Sequence, residues 1–205
     1  MADYWNHNVH YQPLILGAAP AGCGSALDVG CGDGMLAVRL AERCRDVTGV
    51  DRDSGMIRLA RERGRDIRNV AFIGADFLGY PFEEASFDFV ASNTVIHHMD
   101  FEAALTAMTD LLRPGGQLAI VGLARNATPA DWLYDAAGVP ANFALEAAHG
   151  VLRAVGREAS GPGQPIADPV MTWDEVRTAA LRLLPRARFR RLLLFRYFLT
   201  WRKPS

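Results

Sequence analysis

The sequence predicts an α/β fold: a mostly parallel sheet with helices on both faces, closed near the C-terminus by an antiparallel hairpin. Three observations predict it. Short apolar strand segments alternate with helical segments from Ala26 to Val121, a glycine-rich turn separates the first strand from the first helix, and two strand-like segments near the C-terminus follow one another almost directly. A parallel crossover takes about a dozen residues or more, so that last pair must be antiparallel.

Residues 1–25 form an aromatic and polar lead-in, Tyr4-Trp5-Asn6-His7-Asn8-Val9-His10-Tyr11, then a short apolar run and a Pro/Gly-rich hinge. Ala26 to Val29 reads as a buried strand. The helix from about Met35 to Cys44 repeats Leu36, Leu40 and Cys44 at helical spacing, which puts them on one buried face. Val47 to Val50 is a second strand ending at Asp51. Asp53 or Ser54 caps the next helix, and Gly64 lies near its end. Val70 to Ile73 and Phe87 to Ala91 are the third and fourth strands. Asp100 caps a helix running to Leu112, Arg113-Pro114-Gly115-Gly116 stops and turns it, and Leu118 to Val121 is the fifth strand.

Residues 124–170 break the rhythm with helix-like pieces around Ala130–Ala137 and Asn142–Val155, followed by Ser160-Gly161-Pro162-Gly163-Gln164-Pro165. About 45 residues make a poor core of their own. The segment therefore reads as a helical insertion over the binding site within a single domain spanning 1–205. Thr172-Trp173-Asp174-Glu175 has capping-box form and opens a helix that ends near Leu184-Pro185. Arg188 to Phe195 and Tyr197 to Trp201 form the hairpin, the second strand showing period-two alternation.

Composition narrows the function classes. The 205 residues are 50% hydrophobic and 22% charged, with a formal net charge of -1. That balance argues against nucleic acid as a partner, because phosphate neutralisation needs a basic surplus. The basic cluster Arg186, Arg188, Arg190, Arg191, Arg196, Arg202 and Lys203 reads as a charged solvent edge on terminal strands. Cys23, Cys31 and Cys44 are odd in number and lack metal-ligand spacing, which suits a reducing cytoplasm and no bound metal. The first ten residues do not resemble a signal peptide, and Leu192 to Trp201 is too short to span a membrane and is broken by Arg196. A cytoplasmic monomer or homodimer without membrane attachment is expected.

The strongest chemical signal is Leu27-Asp28-Val29-Gly30-Cys31-Gly32-Asp33-Gly34, between a strand and a helix. Its glycines let the backbone turn sharply and approach a ligand closely, and free N–H groups at the following helix start favour polar ligand groups. Asp51 lies 21 residues beyond Gly30, where a carboxylate can accept both ribose hydroxyls. These features alone suit either a nicotinamide cofactor or S-adenosylmethionine. Three details separate them. The dinucleotide fingerprint needs Gly or Ala where Met35 stands; Asp28 would repel a pyrophosphate but suits an ammonium and a sulfonium; and a terminal hairpin is not the usual end of a dinucleotide-binding sheet.

Asp28-Val29-Gly30-Cys31-Gly32-Asp33-Gly34 resembles the first motif of class I S-adenosylmethionine-dependent methyltransferases. Further matches follow in order: Val50-Asp51, Gly74-Ala75-Asp76-Phe77, Phe87 to Asn93 followed by Ile96-His97-His98-Met99, and Leu111-Leu112-Arg113-Pro114-Gly115-Gly116. They cover roughly residues 26–121, and the final hairpin extends the likeness. The resemblance implies a Rossmann-like three-layer sandwich, with a seven-strand, mostly parallel sheet of order 3-2-1-4-5-7-6 and an antiparallel last strand. It implies S-adenosylmethionine as cofactor and S-adenosylhomocysteine as product.

Carried onto this chain, the resemblance puts Gly30 and Gly32 at the methionine part of the cofactor, with Asp28 and Cys31 beside them, Cys31 as a turn residue. Asp51 is the ribose acceptor and Asp76 the partner of the adenine amino group. Arg52, Met56 and Phe77 flank the adenine, and Asn93 follows the fourth strand, where relatives offer backbone contacts. His97 and His98, just after that strand, are the candidates for a general base. The lead-in reads as a lid whose tyrosines or histidines reach the methionine carboxylate. The insertion, with Trp132, Tyr134, Phe143 and His149, would line the pocket of an uncharged, fairly apolar small molecule attacked through O, N or C. The rival readings are non-methylating chemistry on the same cofactor, such as cyclisation or elimination, and a nicotinamide oxidoreductase.

Overall fold

The computed structural model describes residues 4–154, 161–162 and 168–205. Seven strands form one sheet: β1 (Ser25–Val29), β2 (Asp46–Asp51), β3 (Val70–Gly74), β4 (Phe87–Asn93), β5 (Leu112–Leu123), β6 (Arg188–Arg191) and β7 (Arg196–Arg202). Their order is β3-β2-β1-β4-β5-β7-β6. The first five pair in parallel, and β7 runs antiparallel between β5 and β6. This is the Rossmann-like methyltransferase architecture.

The two faces follow from the period of two along each strand. Leu27 and Val29 of β1, Val90 of β4, and Leu118 and Ile120 of β5 join one apolar cluster; Ala26, Phe89, Ala91, Ala119 and Val121 join the other. Helices α1 (His7–Ala18), α2 (Met35–Ala41) and α3 (Ser54–Gly64) cover the second face. Helices α4 (Phe101–Asp110) and α6 (Trp173–Leu183) cover the first through Phe101, Leu105, Met108, Trp173 and Val176. The remaining helix, α5 (Pro129–Ala154), runs between β5 and α6 in the chain.

Caps set the helix starts as the residues predict. Asp53 accepts the Gly55 and Met56 amides, Asp100 accepts the Ala103 amide, and Thr172 with Glu175 closes a capping box. Four local expectations change. The lead-in holds a helix, α1, capped by Asn6 and continuing through Pro13. The α5 segment is one helix through Pro140 rather than two pieces; Ser160 and Gly163 to Pro165, from the Gly/Pro-rich stretch, lie outside the described residues. Arg113-Pro114-Gly115-Gly116 does not separate helix from strand, because β5 already begins at Leu112. There the register slips between Phe87 and Phe89, Gly115 adopts φ 77°, and Arg113 reaches Asp88 and Ser25 at 3.0 Å each. Finally, β6 stops at Arg191, because Leu194 and Phe195 turn the chain with φ 61° each.

Parallel pairing puts the carboxyl ends of β1 to β4 along one sheet edge. Gly30, Asp51, Ala75 and Thr94 follow or end those strands there, beside the point where the strand order reverses. Open α/β sheets bind ligands at such an edge.

Candidate active site

A cleft of about 730 Å³ opens at this edge. All twelve residues assigned from the sequence to the cofactor or to proton removal line it: Asp28, Gly30, Cys31, Gly32, Asp51, Arg52, Met56, Asp76, Phe77, Asn93, His97 and His98. Tyr4, one of the lead-in tyrosines expected near the cofactor, also lines it, as do Asn8, Val9, Gln12, Asp33, Val95, Met99, Leu123 and Arg196, which sequence reasoning had not placed there.

The glycine loop is fixed from β2. The Gly30 and Cys31 amides donate to the Val50 carbonyl at 2.8 and 3.0 Å. The Gly32 amide donates to Oδ2 of Asp51 at 2.9 Å, and the Asp53 amide to Oδ1 at 2.9 Å. Gly30 has no substitute: its φ is 71°, and a Cβ there would stand 2.3 Å from Cγ1 of Val95.

Asp28 is buried and borders the cleft, yet neither of its carboxylate oxygens accepts a hydrogen bond of standard geometry from the described residues. Burial, and next the neighbouring Asp51 carboxylate, push its pKa up to about 8, against the pull of the Ala37 amide. An orphaned buried carboxylate is costly unless a cation meets it. Asp33 differs, because Arg63 pairs with it at 2.6 Å and the Tyr4 hydroxyl donates to it at 3.2 Å. Asp76 accepts the Leu78 amide at 3.2 Å, capping the short turn Phe77–Gly79 while still bordering the cleft.

His97 and His98 lie on a short 3-10 turn after β4, their rings 4.1 Å apart between centroids. Burial, then the Arg52 guanidinium, lower the His98 pKa below the ordinary histidine value. The imidazole is thus neutral and basic at physiological pH.

Two expectations about the walls are corrected. Of the lead-in, Tyr4 borders the cleft, as do Asn8, Val9 and Gln12 of the new helix α1; His7, His10 and Tyr11 do not. Tyr11 packs in the core, because α1 turns that face toward β4 and β5. Trp132, Tyr134, Phe143 and His149 do not line the cleft either. Trp132, Tyr134 and Phe143 are exposed, Trp132 meets Phe195, and His149 stacks on Trp5 at 4.2 Å. The basic C-terminal run is not wholly a solvent edge. Arg196 faces the cleft, and Arg191 is held by Asp131 and Asn126 between the Tyr134 and Trp173 rings. Among the described residues, no group of His, Cys, Asp and Glu is arranged to hold a metal, and no helix is long and apolar enough to cross a membrane.

Comparison with known proteins agrees with this geometry. A family model described as "Methyltransferase domain" matches residues 27–120. An uncharacterized methyltransferase of Mycobacterium tuberculosis is 37% identical over 206 residues, covering all of both chains. A demethylmenaquinone methyltransferase of Roseiflexus castenholzii is 35% identical over 124 residues, 57% of this chain and 52% of that one. The crystal structure of the [4+2]-cyclase SpnF superposes with a TM-score of 0.68 over all of this chain and 87% of that one, at 15% identity, a likeness of fold alone. Fold and sequence together define a class I S-adenosylmethionine-dependent enzyme. The chain belongs to the methyltransferase-domain family, with S-adenosylmethionine as cofactor and S-adenosylhomocysteine as product. The nicotinamide alternative therefore falls away.

Proposed function

We propose that this cleft methylates a small, fairly apolar organic molecule at an oxygen, nitrogen or carbon nucleophile. The observation that carries the reading is the buried, unpartnered Asp28 carboxylate beside the Gly30–Gly34 loop, in one cleft with Asp51, Asp76 and the histidine pair. Those residues suit the cofactor. Asp28 offers a carboxylate to its ammonium, Gly30 and Gly32 admit its methionine part, Asp51 offers oxygen to the ribose, and Asp76 to the adenine amino group. Arg52, Met56 and Phe77 flank the adenine, and Asn93 borders the methionine end, with Cys31 shaping the turn between.

When bound, S-adenosylmethionine supplies a methyl group on a sulfonium that is already a good leaving group. The chain then has two tasks. The first is to hold the acceptor in line, which is worth several orders of magnitude in rate. Val9, Val95, Met99 and Leu123 give that part of the cleft an apolar wall. The name of the Roseiflexus relative points to a quinone-like acceptor there, in keeping with that lining. The second task is proton removal from a neutral hydroxyl or amine. His98 takes that proton on a ring nitrogen, and its lowered pKa keeps it available near neutral pH. His97, its ring tilted against that of His98, is the alternative base.

The test is incubation of the purified protein with methyl-labelled S-adenosylmethionine and a panel of phenols, amines and quinols. Label in an extractable product supports the reading. Tight binding of S-adenosylhomocysteine with no transfer to any member would remove the small apolar acceptor from it.

A further inference from the structure

We propose that the acceptor carries a carboxylate and that Arg196 is the residue that receives it. This rests on the reading of the cleft given above and replaces the uncharged acceptor by an apolar molecule with one anionic end. Arg196 opens β7 and borders the cleft beside Leu123, its register partner on β5. Its two terminal nitrogens donate to neutral acceptors only: the Leu194 carbonyl at 2.9 Å and Oδ1 of Asn8 at 2.7 Å. Its Nε has no partner, and its other neighbour is the Tyr11 ring, 5.7 Å from the guanidinium carbon. Among the described residues no carboxylate pairs with it. Two other partly buried arginines, by contrast, have carboxylate partners: Arg63 with Asp33, and Arg191 with Asp131 and Asp135.

A buried guanidinium without a counter-charge is unfavourable, and burial lowers the Arg196 pKa to about 10. The fold nonetheless commits to this placement. Two successive non-glycine residues, Leu194 and Phe195, adopt φ 61° to bring the chain round, and the Asn93 side chain donates to the Asn8 carbonyl at 3.0 Å, fixing the residue that steadies the guanidinium. Backbone strain kept beside a cleft is a mark of function. Each terminal nitrogen has two N–H groups and uses one, so one on each remains for an anion. A planar guanidinium with two N–H groups to spare matches a carboxylate.

The position favours the acceptor over the cofactor as the source of that carboxylate. Asp76, Asp51 and the glycine loop follow or end β3, β2 and β1, and β7 lies three strand spacings beyond β1, about 14 Å along the sheet edge, and two beyond β4, where Asn93 borders the methionine end. The histidine pair, after β4, lies between the two.

Calorimetry on the intact protein separates the sources. With S-adenosylhomocysteine bound, phenylacetate and octanoate should each bind about tenfold or more tighter than their amides, a preference set by one charge-assisted pair. Arg196→Met should erase that preference while leaving affinity for S-adenosylhomocysteine within about threefold, well under one lost hydrogen bond to a charge. Amides that bind as well as acids, or acids that do not bind, overturn the proposal. So does a methionine variant that keeps the preference but loses S-adenosylhomocysteine, since the cofactor's own carboxylate would then be the ligand. If Arg196→Met does not melt cooperatively, Arg196→Lys serves: the acid preference should persist in weakened form, and its complete retention would count against a two-pronged contact. Failure of the wild-type protein to bind S-adenosylhomocysteine would defeat the reading of the cleft itself, whereas normal binding without acid preference defeats only this inference.

Discussion

The amide of Gly32 donates to Oδ2 of Asp51 at 2.9 Å, so the loop after β1 hangs from the residue that ends β2. The same carboxylate takes the Asp53 amide on its other oxygen, at the start of α3. One side chain thus braces both the floor and the flank of the cleft.

Asp51→Ala should therefore weaken S-adenosylmethionine twice over, by removing an acceptor for the ribose and by freeing the loop. Leaving two amides without their partner costs about 1–3 kcal/mol each where water cannot replace it. A loss of affinity of about tenfold or more is expected by calorimetry, since about 1.4 kcal/mol is already a factor of ten. Unchanged binding would remove Asp51 from the site.

Gly30→Ala probes shape rather than charge. The new methyl would enter a left-handed residue at φ 71° and press on Val95. Overpacking and strain together should cost about 2–4 kcal/mol in chemical denaturation. Adding Val95→Ala should restore part of that loss, because it removes the clash and leaves the backbone strain. No recovery in the double variant would show that Val95 moves aside freely.

Asp28 makes the stability of the protein depend on pH. Its pKa in the folded protein, about 8, is above the ordinary carboxylate value of an unfolded chain. Between those two values the folded state holds a proton that the unfolded chain has released, so this residue's contribution falls as pH rises from about 4 to about 8 and is flat beyond. Asp28→Asn should flatten that part of the melting profile of the protein without cofactor. S-adenosylmethionine, whose ammonium prefers the ionised carboxylate, should bind more tightly as pH rises toward 8. A variant profile parallel to wild type would mean that the carboxylate is already ionised at low pH.

His98→Ala should lower turnover about 10²- to 10⁴-fold if it is the base. In the wild-type enzyme turnover should fall on the acid side of the ordinary histidine range, since burial and Arg52 depress the His98 pKa. Arg52→Met should move that acid limb toward neutrality. If His97→Ala and His98→Ala both keep wild-type turnover with unchanged pH dependence, no histidine base operates.

Much of the architecture was legible because its signals are local. Asp100 and Thr172 cap the helices they were expected to cap, and the alternation in β1, β4 and β5 sorts residues onto two faces without reference to anything distant. The cleft residues that follow parallel strands were legible for the same reason: a glycine turn or an acidic strand end is recognisable in a few residues. Helix α1 was not, because Pro13 interrupts its ladder, Gln12 is buried, and Leu14 and Leu16 blur the apolar stripe. Arg196 was hidden in a basic run whose other members are mainly exposed; only the pairing of β7 with β5 turns it toward the cleft. The aromatics of residues 124–170 misled because size and hydrophobicity do not say which cavity a side chain borders.

The bond between Asn8 and Arg196 joins side chains 188 positions apart. A chain is synthesised from its N-terminus, and the β1 to β4 half of the cleft, residues 25–93, can pair long before β7 has been made. The half assigned above to the nucleotide end of the cofactor is thus synthesised first. The half that would receive the acceptor waits for the last strand, and its closure ties the whole length of the chain into one loop. On the proposed role of Arg196, selectivity for the acceptor would depend on the strand made last, and translation that stops short of residue 196 leaves a cleft without that side chain.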